Sequence, residues 1–175
     1  YLGAKHMITG YDHILFLIGV LFFLTSYRDI VKFITVFTVG HSITLIFATF
    51  YKISANYFLI DAVIAFSVIY KGFENLDGFK KWLQKNPPNL LFMVFIFGLI
   101  HGFGLSTRLQ QLGLSEHNLI YSILSFNVGV ELGQIGALLV VFPLLLMIQR
   151  LKSFNKISTL INGLLIVLGG VLLVY

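Results

Sequence analysis

At 175 residues, with 58% hydrophobic and only 11% charged side chains and a mean hydropathy of +0.93, the chain lies outside the soluble globular class, which averages roughly 45–50% apolar and about 25% charged. An ionised group at the centre of a bilayer is costly, so the composition is that of an all-α polytopic membrane protein. The absence of cysteine excludes disulfides, a thiolate metal site and a cysteine nucleophile.

A helix crossing a hydrocarbon core of about 30 Å needs about 20 mostly apolar residues. The first stretch to qualify spans about 8–26 and opens on "HMITGYDH", which places His6, Asp12 and His13 at the threshold of "ILFLIGVLFFL". A helix start needs one capping residue, whereas these are three groups able to hold a cation. Asp12 has three open readings: a ligand, the partner that orients a ligating imidazole, or an N-cap. The second segment, about 31–51, carries His41 in "FTVGHS". The third, about 57–75, has Asp61 near its start, either facing a site or capping the helix, and ends with Lys71 and Glu74, which read as a surface pair.

A basic, amphipathic loop, "ENLDGFKKWLQKNPPN", follows, and its Pro87–Pro88 pair marks the start of the fourth segment, about 89–108, with His101 in "FGLIHGFG". The fifth, about 118–149, exceeds a perpendicular span, so tilt, a break near Pro143 or an interfacial first turn is expected. It carries Asn127, Glu131 and Gln134 at helical spacing on one face. Glu116 and His117 just before it read as solvated. The sixth runs about 157–175. The chain begins at Tyr1 and not at Met, as it would after removal of a signal peptide or behind a tag.

The basic residues set the expected orientation. Arg28, Lys32, Lys71, Lys80, Lys81, Lys85, Arg150, Lys152 and Lys156 fall on one side, and Lys5, Lys52 and Arg108 on the other, nine against three. A six-helix bundle with both termini on the outer, periplasmic side satisfies this bias. Topology thus accounts for the net charge of +5, and nucleic acid drops out as a partner.

Counting 1.5 Å per residue from the outer helix ends places His13, Asp61 and His101 roughly 5–10 Å deep, His41 and Asn127 at about 13 Å and Glu131 at about 20 Å. Polar groups therefore gather in the outer half, as a pocket opening outward would require. Imidazole and carboxylate donors without thiolate suit a borderline divalent ion such as Ni, Co, Zn or Fe, not Cu(I) or an iron–sulfur cluster. No helix carries a mid-span lysine for retinal, and no G-x-S-x-G elbow occurs.

"HMITGYDHILFLIG" resembles the H-x-x-x-G-x-D-H signature of the HupE/UreJ family of hydrogenase and urease accessory membrane proteins. "FTVGHSITL", "FGLIHGFG" and "FNVGVELGQ" are similar to the polar helix motifs of its second, short-form branch. Met7 stands where the other branch usually has proline. The resemblance implies about six helices in a bacterial inner membrane and a role in nickel or cobalt uptake that supplies metalloenzyme-maturation partners. By it, His6, Asp12 and His13 are metal-capture residues, with His41, His101 and Glu131 as further ligands.

Two function classes fit these residues. A permease would capture a divalent ion from outside and pass it inward, although only Asn162 and Gln149 offer polarity in the inner half. An intramembrane zinc hydrolase acting on a lipid or membrane-anchored substrate would need no inward path, with Glu131 or Asp61 as general base. In both, Asp61, Asn127 and Gln134 support the ligands, and the bilayer is the solvent. A scaffold holding a structural ion is a blander third option.

Overall fold

The computed structural model describes residues 1–111 and 119–174, so Glu116 and His117 lie outside the described residues. Among these are eight α-helices and no strand: α1 (Leu2–Thr9), α2 (Tyr11–Leu21), α3 (Tyr27–Phe50), α4 (Tyr57–Asn75), α5 (Gly78–Trp82), α6 (Leu90–Gln111), α7 (Leu119–Gln149) and α8 (Phe154–Val174). Local chemistry sets several of the starts. The Oδ1 of Asn56 accepts from Phe58 N at 3.0 Å at the head of α4, and Asn89, just past the proline pair, accepts from Phe92 N at 3.2 Å at the head of α6.

The segment expected at 8–26 is not one helix. Gly10 adopts an extended conformation (φ −75°, ψ 101°) between α1 and α2, so His6 and His13 stand on separate short helices. Pro143 does not break α7, which runs 31 residues through it, about 46 Å at 1.5 Å per residue. Among the described residues four helices, α3, α6, α7 and α8, are long and apolar enough to cross a membrane. The 19-residue α4 carries Asp61, Lys71 and Glu74, and α2 is apolar but only 11 residues long.

Three pairings dominate the packing: α3 with α6, α4 with α8, and α1 with α7. The first is parallel, its far ends fastened by Gln110 Nε2 donating to Ala48 O at 3.2 Å and to Ile53 O at 3.0 Å. The second is antiparallel, Gly72 facing Asn162 and Ile166 while Gly169 faces Ala65 and Ile69. At one end of the bundle, Gln149 Nε2 donates to Phe22 O at 2.7 Å and Asn75 Nδ2 to Asn162 Oδ1 at 2.8 Å. This end gathers the close of α2, α4 and α7 with the start of α3, α6 and α8, and it carries the basic loops. The opposite end gathers Gly10, the start of α4 and the close of α6 and α8.

Between the ends lies an apolar core that includes Phe16, Val20, Phe37, Val68, Val94, Phe97 and Leu165. Outer faces are apolar as well: Val39, Ile43 and Phe47 on α3 and Leu132, Leu139 and Val140 on α7 are exposed, an arrangement suited to lipid rather than water.

Candidate metal centre

His13 sits in the first turn of α2, its ring against Gly10. A Cβ at position 10 would come within 2.7 Å of His13 Nδ1 and 3.0 Å of Asp12 Oδ1, so only glycine lets the backbone pass this close. There, His13 Nδ1 and Asp12 Oδ1 lie 3.0 Å apart. An ionised carboxylate only accepts, so Nδ1 carries the hydrogen, and in the neutral imidazole Nε2 is then the atom with the lone pair. The same logic holds on α6, where His101 Nδ1 lies 2.7 Å from the carbonyl oxygen of Phe97. A carbonyl cannot donate, so His101 too presents Nε2 as a bare acceptor.

Three imidazoles stand in a row. The ring centroids of His6 and His13 are 4.8 Å apart, and those of His13 and His101 are 4.9 Å apart. One ligand atom each from Asp12, His13 and His101 lies within 4.8 Å of the others. Phe37 packs against His101 at 5.2 Å and stacks on His41 at 6.2 Å, which puts the fourth histidine behind a phenyl ring. His13, His41 and His101 are 5%, 1% and 2% exposed.

Nε2 of His13, Nε2 of His101 and both ring nitrogens of His41 are buried with no hydrogen-bond partner. Each buried acceptor left unpaired costs about 1–3 kcal/mol. Two of these atoms, Nε2 of His13 and Nε2 of His101, belong to one cluster with Asp12, and a cation that accepts lone pairs is a chemical match for them.

The cluster faces a cavity of about 190 Å³ lined by His6, Gly10, Asp12, His13, Asp61 and His101, among others. A larger one of about 570 Å³, toward Phe58 and the end of α8, shares Gly10, Asp12 and Asp61 with it. Two carboxylates thus flank the passage from the end of the bundle to the histidines.

A family model described as HupE / UreJ protein matches residues 1–175, the whole chain. The chain belongs to the HupE/UreJ family. No curated protein and no solved structure matches it. The donor set of this HupE/UreJ chain, imidazole nitrogen with carboxylate oxygen, fits the nickel- and cobalt-type ions that such membership suggests.

Not every residue singled out in the sequence reaches this cluster. Glu131 is exposed and lines a separate groove with Thr35, Thr38 and Ser42 of α3. At 100° per residue it stands about 40° around α7 from Asn127 and about 60° from Gln134, enough to carry it to the edge of the helix. Gln134 is buried and accepts from Thr38 Oγ1 at 3.1 Å. Asn127 Oδ1 is buried without a partner.

Lys71 and Glu74 are not the surface pair their position near a helix end suggested. Lys71 is 5% exposed and holds Glu74 Oε2 at 3.0 Å, because α2 and α8 cover that face of α4. Sequence reasoning also missed the roles of Gly10 and of the Phe97 carbonyl. The signal for Gly10 was its place two residues before Asp12, while the carbonyl has none, since any residue supplies one.

Proposed function

We propose that this HupE/UreJ chain is a multi-pass permease of a bacterial inner membrane that captures a divalent transition ion of the nickel or cobalt type from the outer side. In this reading the α1–α2 unit, α3, α4, α6, α7 and α8 make six passes, with the basic loops in the cytoplasm and the histidine cavity open to the periplasm. The positive-inside bias supports that orientation.

The observation that carries the reading is the pair of buried imidazoles, His13 and His101, each with Nδ1 engaged and Nε2 unpaired, on a cavity flanked by Asp12 and Asp61. Asp61 and Asp12 raise the local concentration of cations. His6 meets the ion first, and Asp12, His13 and His101 take it from there. Ligand atoms bound to one ion at 2.0–2.2 Å stand roughly 3–3.5 Å apart, closer than the 4.8 Å limit seen here. Capture on this account draws α2 and α6 together. His41, on the other side of Phe37 from His101 and level with Gly102, offers a further nitrogen beside the cluster, and the ion's final destination is a metalloenzyme-maturation partner in the cytoplasm.

The test is metal analysis of the detergent-purified chain, with uptake of Ni²⁺, Co²⁺ and Zn²⁺ into proteoliposomes. One ion per chain, lost in His13→Ala and in His101→Ala along with uptake, is the expected result. Absence of both binding and uptake in the native chain would overturn the reading.

One observation favours the hydrolase as a second reading: Asp61 lines the same cavity as the three-ligand cluster, where it could take a proton from water. Zinc retained through chelation, with no uptake, would favour it.

A further inference from the structure

The inner half of the bundle holds a second buried polar cluster, on one face of α4. Lys71, Glu74 and Asn75 stand at i, i+3 and i+4, hence side by side. The Lys71 ammonium holds Glu74 Oε2 at 3.0 Å, with the two side chains 6% and 12% exposed. The Lys71 stem lies against Gly19 of α2, where a Cβ would meet Lys71 Cγ at 2.9 Å. Asn75 Nδ2 donates to Gly19 O and to Asn162 Oδ1, both at 2.8 Å. Asn162, 0% exposed, in turn donates to Ser158 O at 2.9 Å. Three helices are tied at one level, with the apolar layer of Phe16, Phe37, Phe97 and Val68 between this cluster and the histidines.

A buried ion pair is a poor device for stability alone, since desolvating both charges offsets most of their attraction and apolar residues of like volume serve as well. The cluster does, however, collect oxygens of the kind a cation takes, two of which accept from Asn75 Nδ2. Glu74 contributes carboxylate oxygens, while Asn162 Oδ1 and Gly19 O are carbonyl-type oxygens one neighbour away, and a positive group already occupies the carboxylate. That group is tethered to α4 by its own side chain.

We propose that Glu74, Asn75 and Asn162 form an inward cation-exit site, and that the Lys71 ammonium occupies it as a built-in substitute for the ion. An arriving divalent ion displaces Lys71 from Glu74, the α2–α4–α8 tie loosens, and the return of Lys71 expels the ion toward the basic end. No covalent step is involved. This assignment rests on the permease reading, supplying the inner half of its path, and the oxygen-rich donors would hold an ion more weakly than the imidazoles above.

Binding stoichiometry separates the two ideas. Ni²⁺ or Co²⁺ bound per chain is measured by equilibrium dialysis on the detergent-purified native protein and on Lys71→Met, Lys71→Met with Glu74→Gln, and Lys71→Met with His13→Ala. The expected series is one, two, one and one. A native chain that binds none while Lys71→Met binds one would sink the outer-site reading and leave the inner site standing. A Lys71→Met chain that binds no more than the native one overturns the inner site. Lys71→Arg keeps the charge and serves if removal of the lysine prevents folding. Its guanidinium grips the carboxylate through two hydrogen bonds, so the native binding stoichiometry should persist while uptake into proteoliposomes falls at least tenfold. Native uptake in Lys71→Arg would likewise overturn the proposal.

Discussion

Asp12 and His13 are neighbours in sequence and joined through their side chains, Oδ1 to Nδ1 at 3.0 Å, in the first turn of α2. Adjacent helical residues ordinarily diverge by about 100°, and the two meet here because Gly10 leaves room for both. The carboxylate does what the partner of a ligating histidine must do: it fixes the tautomer and leaves Nε2 free to bind.

Asp12→Asn is therefore an informative change. An amide of the same shape offers either an oxygen or an NH₂ group to Nδ1, so the tautomer is no longer fixed, and a negative charge leaves the cavity. Loss of such a partner weakens metal binding about 10–100-fold. Isothermal titration with Ni²⁺ or Co²⁺ should show that loss, with the helical circular-dichroism signal unchanged. Native affinity in Asp12→Asn would mean that Asp12 serves only to begin the helix.

His41 makes a different prediction. It is 1% exposed, with both ring nitrogens unpartnered and its ring stacked on Phe37. Replacing a buried polar group that has no partner by an apolar ring removes a desolvation cost of about 1–3 kcal/mol. In the absence of metal, His41→Phe should melt at or above the native temperature in detergent, while ion uptake falls. A clear drop in melting temperature would indicate a hydrogen bond that only His41 can make.

How much of this was legible in the chain varies by residue. His6, Asp12, His13 and His101 were visible because an ionisable group at or in an apolar run is conspicuous, and counting residues from the helix ends put His13 and His101 at one depth. Glu131 was equally conspicuous, but depth carries no azimuth: about 40° of rotation on α7 separates it from Asn127 and turns it into a groove against α3. Lys71 was misjudged for the converse reason. Its distance from the helix end implied solvent, whereas burial depended on Gly19 of α2 and on α8 covering it, a tertiary fact with no local trace. The split at Gly10 was hidden because the expected segment, about 8–26, took in only the last two residues of α1.

The contact between α3 and α6 supplies a stability test. A Cβ at Gly102 would collide with the His41 carbonyl oxygen and with Thr44 Oγ1, both on α3. Gly102→Ala must push the two helices apart, at a cost of about 1–3 kcal/mol, and carries His101 away with α6. A methyl group on Gly136 of α7 would meet nothing within 4 Å, and alanine there favours the helix by about 0.5–1 kcal/mol. Thermal melts should thus move in opposite directions, down for Gly102→Ala and level or up for Gly136→Ala, with metal affinity reduced only in the first. Equal melts would show that α3 and α6 do not meet at this point.

Asp61 and Glu131 are the two carboxylates whose roles the geometry separates most sharply. Asp61 lines the histidine cavity and the larger one that joins it, so its charge acts on ions approaching the cluster. Steering by such a charge raises association rates about tenfold or more and fades as salt screens it. Asp61→Asn should therefore slow uptake by about tenfold at low ionic strength, with the difference shrinking in high salt and the stoichiometry unaltered. Glu131 lines a separate groove against α3, and Glu131→Gln should leave both the bound-ion count and the salt dependence as they are. The pair of measurements is decisive in combination. If Glu131→Gln lost the ion while Asp61→Asn kept native kinetics at every salt concentration, the passage flanked by Asp12 and Asp61 would not be the route to the histidines.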